Sequence, residues 1–308
     1  MPPLLTEKQL VHKIKPITKA DAIQSLEDTF FSYINADDAN ANGDTTTTQK
    51  TTGNQFLYYF FFPEIIKTKS GNKNMSFIEF YNNAKEIYKD KPYLKRMVAY
   101  ELEKQHGNRE KALYRTFSLY MGSINLFKPF HAIEIYHRYR PTHILDPCAG
   151  FGGRAMGACV VGVPYYTGID INTHLRAPYD KMTAILGEYS NTKIRMIYKN
   201  ALEVDYGALT PRYDMVMTSP PYYDIEQYRQ METHQTKQEW NEQFYLPLFE
   251  KTYRGLSKGG YFIMNVPVEI YESVLYPFLG TPTEKIPLKK QKRNPNTAYE
   301  EFMYVWRK

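Results

Sequence analysis

The chain has 308 residues, 43% of them hydrophobic, enough for one large domain or two modest ones around a sizeable core. No apolar run approaches the ~20 residues that span a bilayer, and Met1-Pro2-Pro3-Leu4-Leu5 lacks the charged-then-apolar pattern of a signal peptide. A net charge of +6 is compatible with a nucleic-acid surface without demanding one, and the two cysteines, Cys148 and Cys159, lie in or beside one glycine-rich loop. That placement argues against a disulfide and for an intracellular, reducing compartment; no cysteine–histidine cluster has zinc spacing, so no metal is expected.

Taken in order, the chain predicts a helix over Ala22 to Ile34, capped by Thr18 or Asp21. From Asn35 to Gln55 the composition falls to Ala, Asp, Asn, Gly and Thr, which predicts a mobile, low-complexity loop. An apolar run, Leu57 to Phe62, is closed by Pro63. Ser76 caps the next block, which reads as two or three short helices up to Met121, punctuated by Lys91-Pro92 and Gly107-Asn108. Lys91, Lys95, Arg96, Lys104, Arg109, Lys111 and Arg115 give it a basic face, either an ordinary solvated surface or one that meets phosphates. Residues 1–120 are expected to form a mostly helical N-terminal domain with a possible part in target recognition, and 121–308 a second domain.

From Pro129 the pattern becomes alternating. A helix through Ala132 to Tyr136 leads to a strand at Ile144 to Asp146, a helix from Arg154 to Val160, and a strand ending at Asp170. There follow a helix from Thr173 to about Gly187, a strand from Lys193 to Ile197, and a strand through Tyr213 to Met217. A long helix, Lys237 to Leu256, precedes strands at Tyr261 to Val266, Glu284 to Leu288 and Glu301 to Trp306. Strands alternating with helices predict an α/β fold with a doubly wound, mostly parallel sheet. Such a sheet presents ligands at the carboxyl ends of its strands. There stand Asp146-Pro147-Cys148-Ala149-Gly150-Phe151-Gly152, Asp170-Ile171, Asn200-Ala201 and Ser219-Pro220-Pro221-Tyr222.

Together these stretches resemble the S-adenosylmethionine-dependent amino-methyltransferases that act on an exocyclic amino nitrogen of a nucleic-acid base. The resemblance covers roughly residues 124 to 308. It implies a Rossmann-like class I methyltransferase fold with S-adenosyl-L-methionine as cofactor. Asp146, Pro147, Cys148, Ala149, Gly150 and Gly152 look like its cofactor loop, and Phe127-Lys128-Pro129 like its remaining cofactor motif. Asp170 with Ile171 resembles the ribose-binding strand end, Asn200-Ala201 the adenine contact, and Ser219, Pro220, Pro221 and Tyr222 the catalytic tetrapeptide. Cys148 departs from the pattern, since an aromatic residue commonly stands there.

These residue types suit the chemistry. The amino group of cytosine or adenine has its lone pair delocalised into the ring, so transfer needs acceptors for its hydrogens. The Ser219 side chain and the Pro220 carbonyl are the expected acceptors, on a loop stiffened by two prolines. Tyr222 offers a ring for an extruded base. Asp170 is placed to accept from ribose hydroxyls, and Gly150 and Gly152 let a ligand approach the backbone. A serine before Pro-Pro-Tyr leans toward cytosine N4 in this family, with adenine N6 the alternative.

The first expectation is therefore a DNA methyltransferase acting on an extruded base. The alternatives are methylation of RNA or of a glutamine amide, and a non-catalytic nucleic-acid-binding subunit. A homodimer or a partner subunit remains open. Asp224, Glu226, Tyr228 and Arg229 are either a surface loop or part of the base pocket; Lys285, Lys289, Lys290, Lys292 and Arg293 form a basic run near the expected site.

Overall fold

The computed structural model describes residues 5–39, 51–70, 74–223, 226–227, 230–231, 236–288 and 301–308. Helix α1 (Glu7–Ile14) opens on a capping box made by Thr6 and Gln9. Helix α2 (Lys19–Ala39) starts the same way: Asp21 N donates to Thr18 Oγ1 at 3.1 Å and Thr18 N to Asp21 Oδ2 at 2.8 Å. This corrects the expected loop at 35–55 at both ends, because α2 runs to Ala39 and helix α3 (Asn54–Ile65) begins within it. Residues 40–50 lie outside the described part. The apolar run belongs to α3, with Pro63 in its last turn, and its Phe56, Leu57, Phe60, Phe61 and Phe62 are all buried. A helix apolar nearly all round belongs in a core.

A two-residue strand, β1 (Lys69–Ser70), precedes α4 (Phe77–Asp90), α5 (Pro92–Lys104) and α6 (Arg109–Tyr120). Their breaks follow local chemistry: a Ser76–Glu79 capping box, Pro92 in the first turn of α5, and the Asn108 side chain accepting from Lys111 N.

The alternating part follows its predicted order. It comprises α7 (Pro129–Tyr139), β2 (His143–Asp146), α8 (Gly153–Val161), β3 (Tyr165–Asp170), α9 (Arg176–Tyr189), β4 (Lys193–Tyr198) and β5 (Met215–Thr218). Then come a short β6 (Glu226–Gln227), α10 (Lys237–Trp240), α11 (Leu246–Gly255), β7 (Tyr261–Pro267), β8 (Glu284–Leu288) and β9 (Glu301–Arg307). The long helix expected from Lys237 is interrupted by a π turn at Asn241–Tyr245. Pro247 explains it: the ring has no amide to give the preceding turn and crowds its carbonyl.

The seven-stranded sheet has the order β4-β3-β2-β5-β7-β9-β8, with β9 antiparallel to both neighbours and β4, β3, β2, β5 and β7 parallel. The chain winds outward from β2 through β3 to β4, then returns to lay β5 against β2 on the other side. The order reverses between β2 and β5, so the loops after those two strands diverge around one crevice at their carboxyl ends. Alternate side chains feed two cores. Ile144, Met215, Met217 and Ile263 join the cluster that also holds α1–α9 side chains, whereas Leu145, Val216, Phe262 and Met264 join the one beneath α10 and α11. The first cluster ties the N-terminal helices to the sheet, with the Phe61 ring centre 5.1 Å from that of Tyr179. Among the described residues no helix is long and apolar enough to cross a membrane.

Candidate active site

The loop after β2 is held from below. Asp146 is fully buried, and its carboxylate accepts from Arg154 Nε at 2.6 Å, Tyr166 Oη at 2.6 Å and Thr218 Oγ1 at 2.8 Å. Those donors come from α8, β3 and β5, so one carboxylate ties the glycine loop to both sides of the crevice. A buried carboxylate without such partners is costly, which is why the arrangement is complete. Arg154 also donates to the Cys148 carbonyl, and its guanidinium lies 4.7 Å from the Phe127 ring centre. Ion pairing with Asp146 holds the Arg154 pKa well above its ordinary value although burial opposes it.

Above this anchor the loop opens. Gly150 has φ +58°, a conformation glycine adopts freely, and its N–H donates to Asp170 Oδ2 at 2.8 Å. A Cβ placed there would meet nothing nearer than the Cys148 carbonyl at 4.0 Å, which leaves room for a ligand against the backbone. Asp170 Oδ1 accepts from Asn172 N at 2.9 Å. Burial pushes the Asp170 carboxyl up to about 6 despite those two amide donors. Burial likewise raises the Cys148 thiol, so it stands in the wall as a neutral group.

Of the expected cofactor residues, Cys148, Gly150, Asp170, Ile171 and Asn200 are half-buried at or just past strand ends, and Phe127 and Lys128 are half-buried just before α7. Pro129, Asp146, Pro147, Ala149, Gly152 and Ala201 are buried. Asn200 Oδ1 caps the turn after β4 by accepting from Leu202 N at 3.0 Å.

Across the crevice, β5 ends in the Ser219-Pro220-Pro221-Tyr222 loop. Tyr245, in the π turn, clamps it: its hydroxyl donates to the Pro221 carbonyl at 2.6 Å and accepts from Tyr223 N at 2.8 Å. Tyr223 turns the chain with φ +51°, unusual for a bulky residue. Tyr222 Oη lies 2.9 Å from Ser219 Oγ, 3.0 Å from the Asn265 carbonyl and 3.1 Å from Asn265 Oδ1. Asn265 sits buried in β7, and its amide is oriented by donation to the Phe302 carbonyl at 3.2 Å. Both Asn265 oxygens only accept, so the tyrosine proton is directed to them. The proton between Ser219 and Tyr222 is then the serine's, which leaves Ser219 lone pairs to accept from a substrate.

The segment after the tetrapeptide links the site to the N-terminal helices. β6 pairs antiparallel with β1, Lys69 opposite Gln227 and Ser70 opposite Glu226. Beyond it, Gln230 Oε1 accepts from Thr173 N at 3.0 Å and Thr173 Oγ1 at 3.2 Å, three residues past Asp170. Of the expected pocket residues, Asp224, Tyr228, Arg229 and the Glu226 side chain lie outside the described residues. In the basic run Lys285 stands with Nζ 3.8 Å from the Phe302 ring centre, while Lys289, Lys290, Lys292 and Arg293 lie outside the described residues.

Arg154, Thr218, Asn265 and Tyr245 are not among the site residues expected from the sequence. Arg154 had a signal, as the one cation in Gly-Arg-Ala-Met-Gly-Ala-Cys-Val-Val. Asn265 had one too, as the one amide in an otherwise apolar and aromatic strand. Tyr245 had none.

This sheet, seven strands with β9 reversed between β7 and β8, is doubly wound, mostly parallel and Rossmann-like, as the sequence predicts. No family model and no curated protein matches the chain. Among solved structures it is similar to TrmN from Thermus thermophilus, at 16% identity over 57% of this chain and 48% of that one, TM-score 0.40. It is also similar to an rRNA methylase from Streptococcus thermophilus, at 12% identity over 60% of this chain and 99% of that one, TM-score 0.40. TehB from Haemophilus influenzae is 15% identical over 63% of this chain and 66% of that one, TM-score 0.38. The chain thus spans about half the length of TrmN. At these values the likenesses bear on neither reaction nor substrate.

Proposed function

We propose that the protein transfers a methyl group from S-adenosylmethionine to the exocyclic amino nitrogen of a base in DNA, cytosine N4 first and adenine N6 second. The observation that carries this reading is the clamped Ser219-Pro220-Pro221-Tyr222 loop standing across one crevice from the glycine loop and Asp170. When bound, S-adenosylmethionine supplies an electrophilic methyl group on a sulfonium. The residues fit such a guest. Asp170 keeps lone pairs for ribose hydroxyls, the Gly150 backbone is open, and Ile171 and Asn200 flank it at neighbouring strand ends.

The chain's own part is to orient the base. Ser219 Oγ accepts one amino hydrogen and the Pro220 carbonyl the other, which draws the nitrogen toward tetrahedral geometry and frees its lone pair. Two prolines and the Tyr245 clamp fix those acceptors before the base arrives, so little reorganisation remains at the moment of transfer. The nitrogen's surplus proton leaves to solvent, since no side chain in the described site is placed as its base.

The test is transfer of label from S-adenosylmethionine to unmethylated duplex DNA, single-stranded DNA and total RNA, followed by digestion to nucleosides. Labelled N4-methylcytosine or N6-methyladenine from DNA supports the reading. Label confined to RNA, or none on any polymer with cofactor still bound, contradicts it.

A further inference from the structure

We infer that the α5–α6 face is a docking surface for a single-stranded stretch of the nucleic-acid substrate; this deepens the reading above and rests on it. Three of the eight large apolar side chains exposed among the described residues lie on these two helices: Tyr93 at 39%, Tyr100 at 58% and Leu119 at 48%. On α5, Tyr93, Tyr100 and Lys104 recur at spacings of seven and four, so they form one stripe, about 90° around the helix from buried Leu94 and Glu101. Tyr93 and Tyr100 stand about 10 Å apart along the axis.

Each end of the stripe pairs an aromatic ring with a cation. Lys104 Nζ lies 4.2 Å from the Tyr100 ring centre, with Arg115 of α6 near enough to oppose the Lys104 charge. At the other end the Tyr93 ring meets Tyr120 edge-on at 5.6 Å, and Lys91 Nζ stands 5.5 Å from the Tyr120 ring centre. Residues 91–120 hold seven basic and three acidic side chains, an excess of four in a chain whose whole net charge is +6. Of those acids, Glu101 is buried beside Lys104 and Glu110 pairs with Arg109 at 3.4 Å, which leaves the other cations of α5 and α6 in excess. Only Glu103 borders it exposed.

Exposed flat rings beside cations are what unpaired bases and their phosphates require, since every base has a face to stack and a phosphate to neutralise. A duplex presents phosphates but no free base faces, so it uses the cations and not the rings. Position favours the same partner. The residues that follow Tyr120 sit on β1, where Ser70 Oγ donates to the Gly122 carbonyl at 3.2 Å, and β1 pairs with the β6 segment just after the tetrapeptide. A strand lying on α5 and α6 is thus led toward the crevice.

The experiment is fluorescence anisotropy on the full chain, at one ionic strength, with a labelled oligothymidylate and a labelled duplex of the same length. Tyr93→Ala/Tyr100→Ala should weaken oligothymidylate binding about tenfold and leave the duplex nearly unchanged. Tyr93→Phe/Tyr100→Phe should bind like the unaltered chain, because the stacking faces remain. Lys104→Gln/Arg115→Gln should weaken both polymers. If the double alanine variant fails to fold, Tyr100→Ala alone carries the test, at the more exposed ring. Unchanged oligothymidylate affinity in the alanine variant, or an equal loss on the duplex, overturns the inference. S-adenosylmethionine binding is measured alongside: its absence in the unaltered chain would sink the proposed reaction, while the polymer-binding result still decides this surface.

Discussion

Tyr222 and Asn265 meet on the β5–β7 side of the crevice, with the tyrosine hydroxyl 3.0 Å from the asparagine carbonyl and 3.1 Å from its side-chain oxygen. The contact joins the loop after β5 to the interior of β7, and through Tyr222 it sets which way the Ser219 hydroxyl points its proton. In the proposed reaction Tyr222 is therefore a positioning residue as well as a ring against which a base can stack.

Tyr222→Phe separates the two parts. The ring stays and the hydroxyl goes, so kcat should fall by about fivefold, one hydrogen bond of about 1 kcal/mol, with cofactor affinity unchanged. Asn265→Ala should lower kcat by a similar factor, and the two changes together should cost little more than either alone. Full activity in Tyr222→Phe would leave the ring as the residue's only contribution.

The Asp146–Arg154 pair sets a stability prediction. Both side chains are buried, and removing one partner strands a charge. Arg154→Met should cost about 3–5 kcal/mol in urea unfolding, and adding Asp146→Asn should recover part of that. A single change costing under about 1 kcal/mol would contradict the anchoring role given to the pair.

Gly153, the first residue of α8, makes a close backbone approach, where an added Cβ would stand 2.0 Å from the Phe127 carbonyl oxygen. Gly153→Ala must push Phe127-Lys128-Pro129 away from α8. A loss of about 1–3 kcal/mol in stability, with weaker cofactor binding, is expected from thermal melts with and without S-adenosylmethionine. An unchanged melting temperature would show the approach to be adjustable.

Asp170 gives the pH dependence. Its carboxyl sits at about 6, above the ordinary value near 4, because burial disfavours the charge. Protonation therefore favours the ligand-free fold, a contribution complete below about 4 and lost as pH rises through about 6. Under the proposed role, cofactor binding runs the other way, since only the ionised acid can accept from both ribose hydroxyls. Affinity should drop as pH falls through about 6, and Asp170→Asn should bind more weakly and without that slope, by titration calorimetry across pH. A flat profile in the unaltered chain would remove Asp170 from the ribose.

Much of this was legible in the chain because apolar runs ending in Asp146-Pro147, Asp170 and Ser219-Pro220 each stop a strand with residues that do not continue a ladder. Strands alternating with helices predicted the doubly wound, mostly parallel sheet, but not its strand order or the reversed β9. What was not legible depends on contacts far apart in sequence. Tyr245 reaches back 24 residues to the Pro221 carbonyl. The two-residue strands β1 and β6 are too short to show a period. The π turn needed Pro247 to be weighed as a local obstacle rather than as one position in a long apolar helix. Asp146 was placed correctly at its strand end, but its burial beneath Arg154, Tyr166 and Thr218 gives it the loop to hold, and leaves Asp170 as the acid facing outward.

The most direct measurement compares the unaltered chain with Ser219→Ala in one preparation, reading S-adenosylmethionine affinity by calorimetry and label transfer to DNA in parallel. The expected result is equal cofactor affinity, with transfer reduced by about a hundredfold or more when the acceptor is lost. Ser219→Ala that transfers at the unaltered rate, or an unaltered chain that binds no S-adenosylmethionine, would contradict the assignment of this crevice.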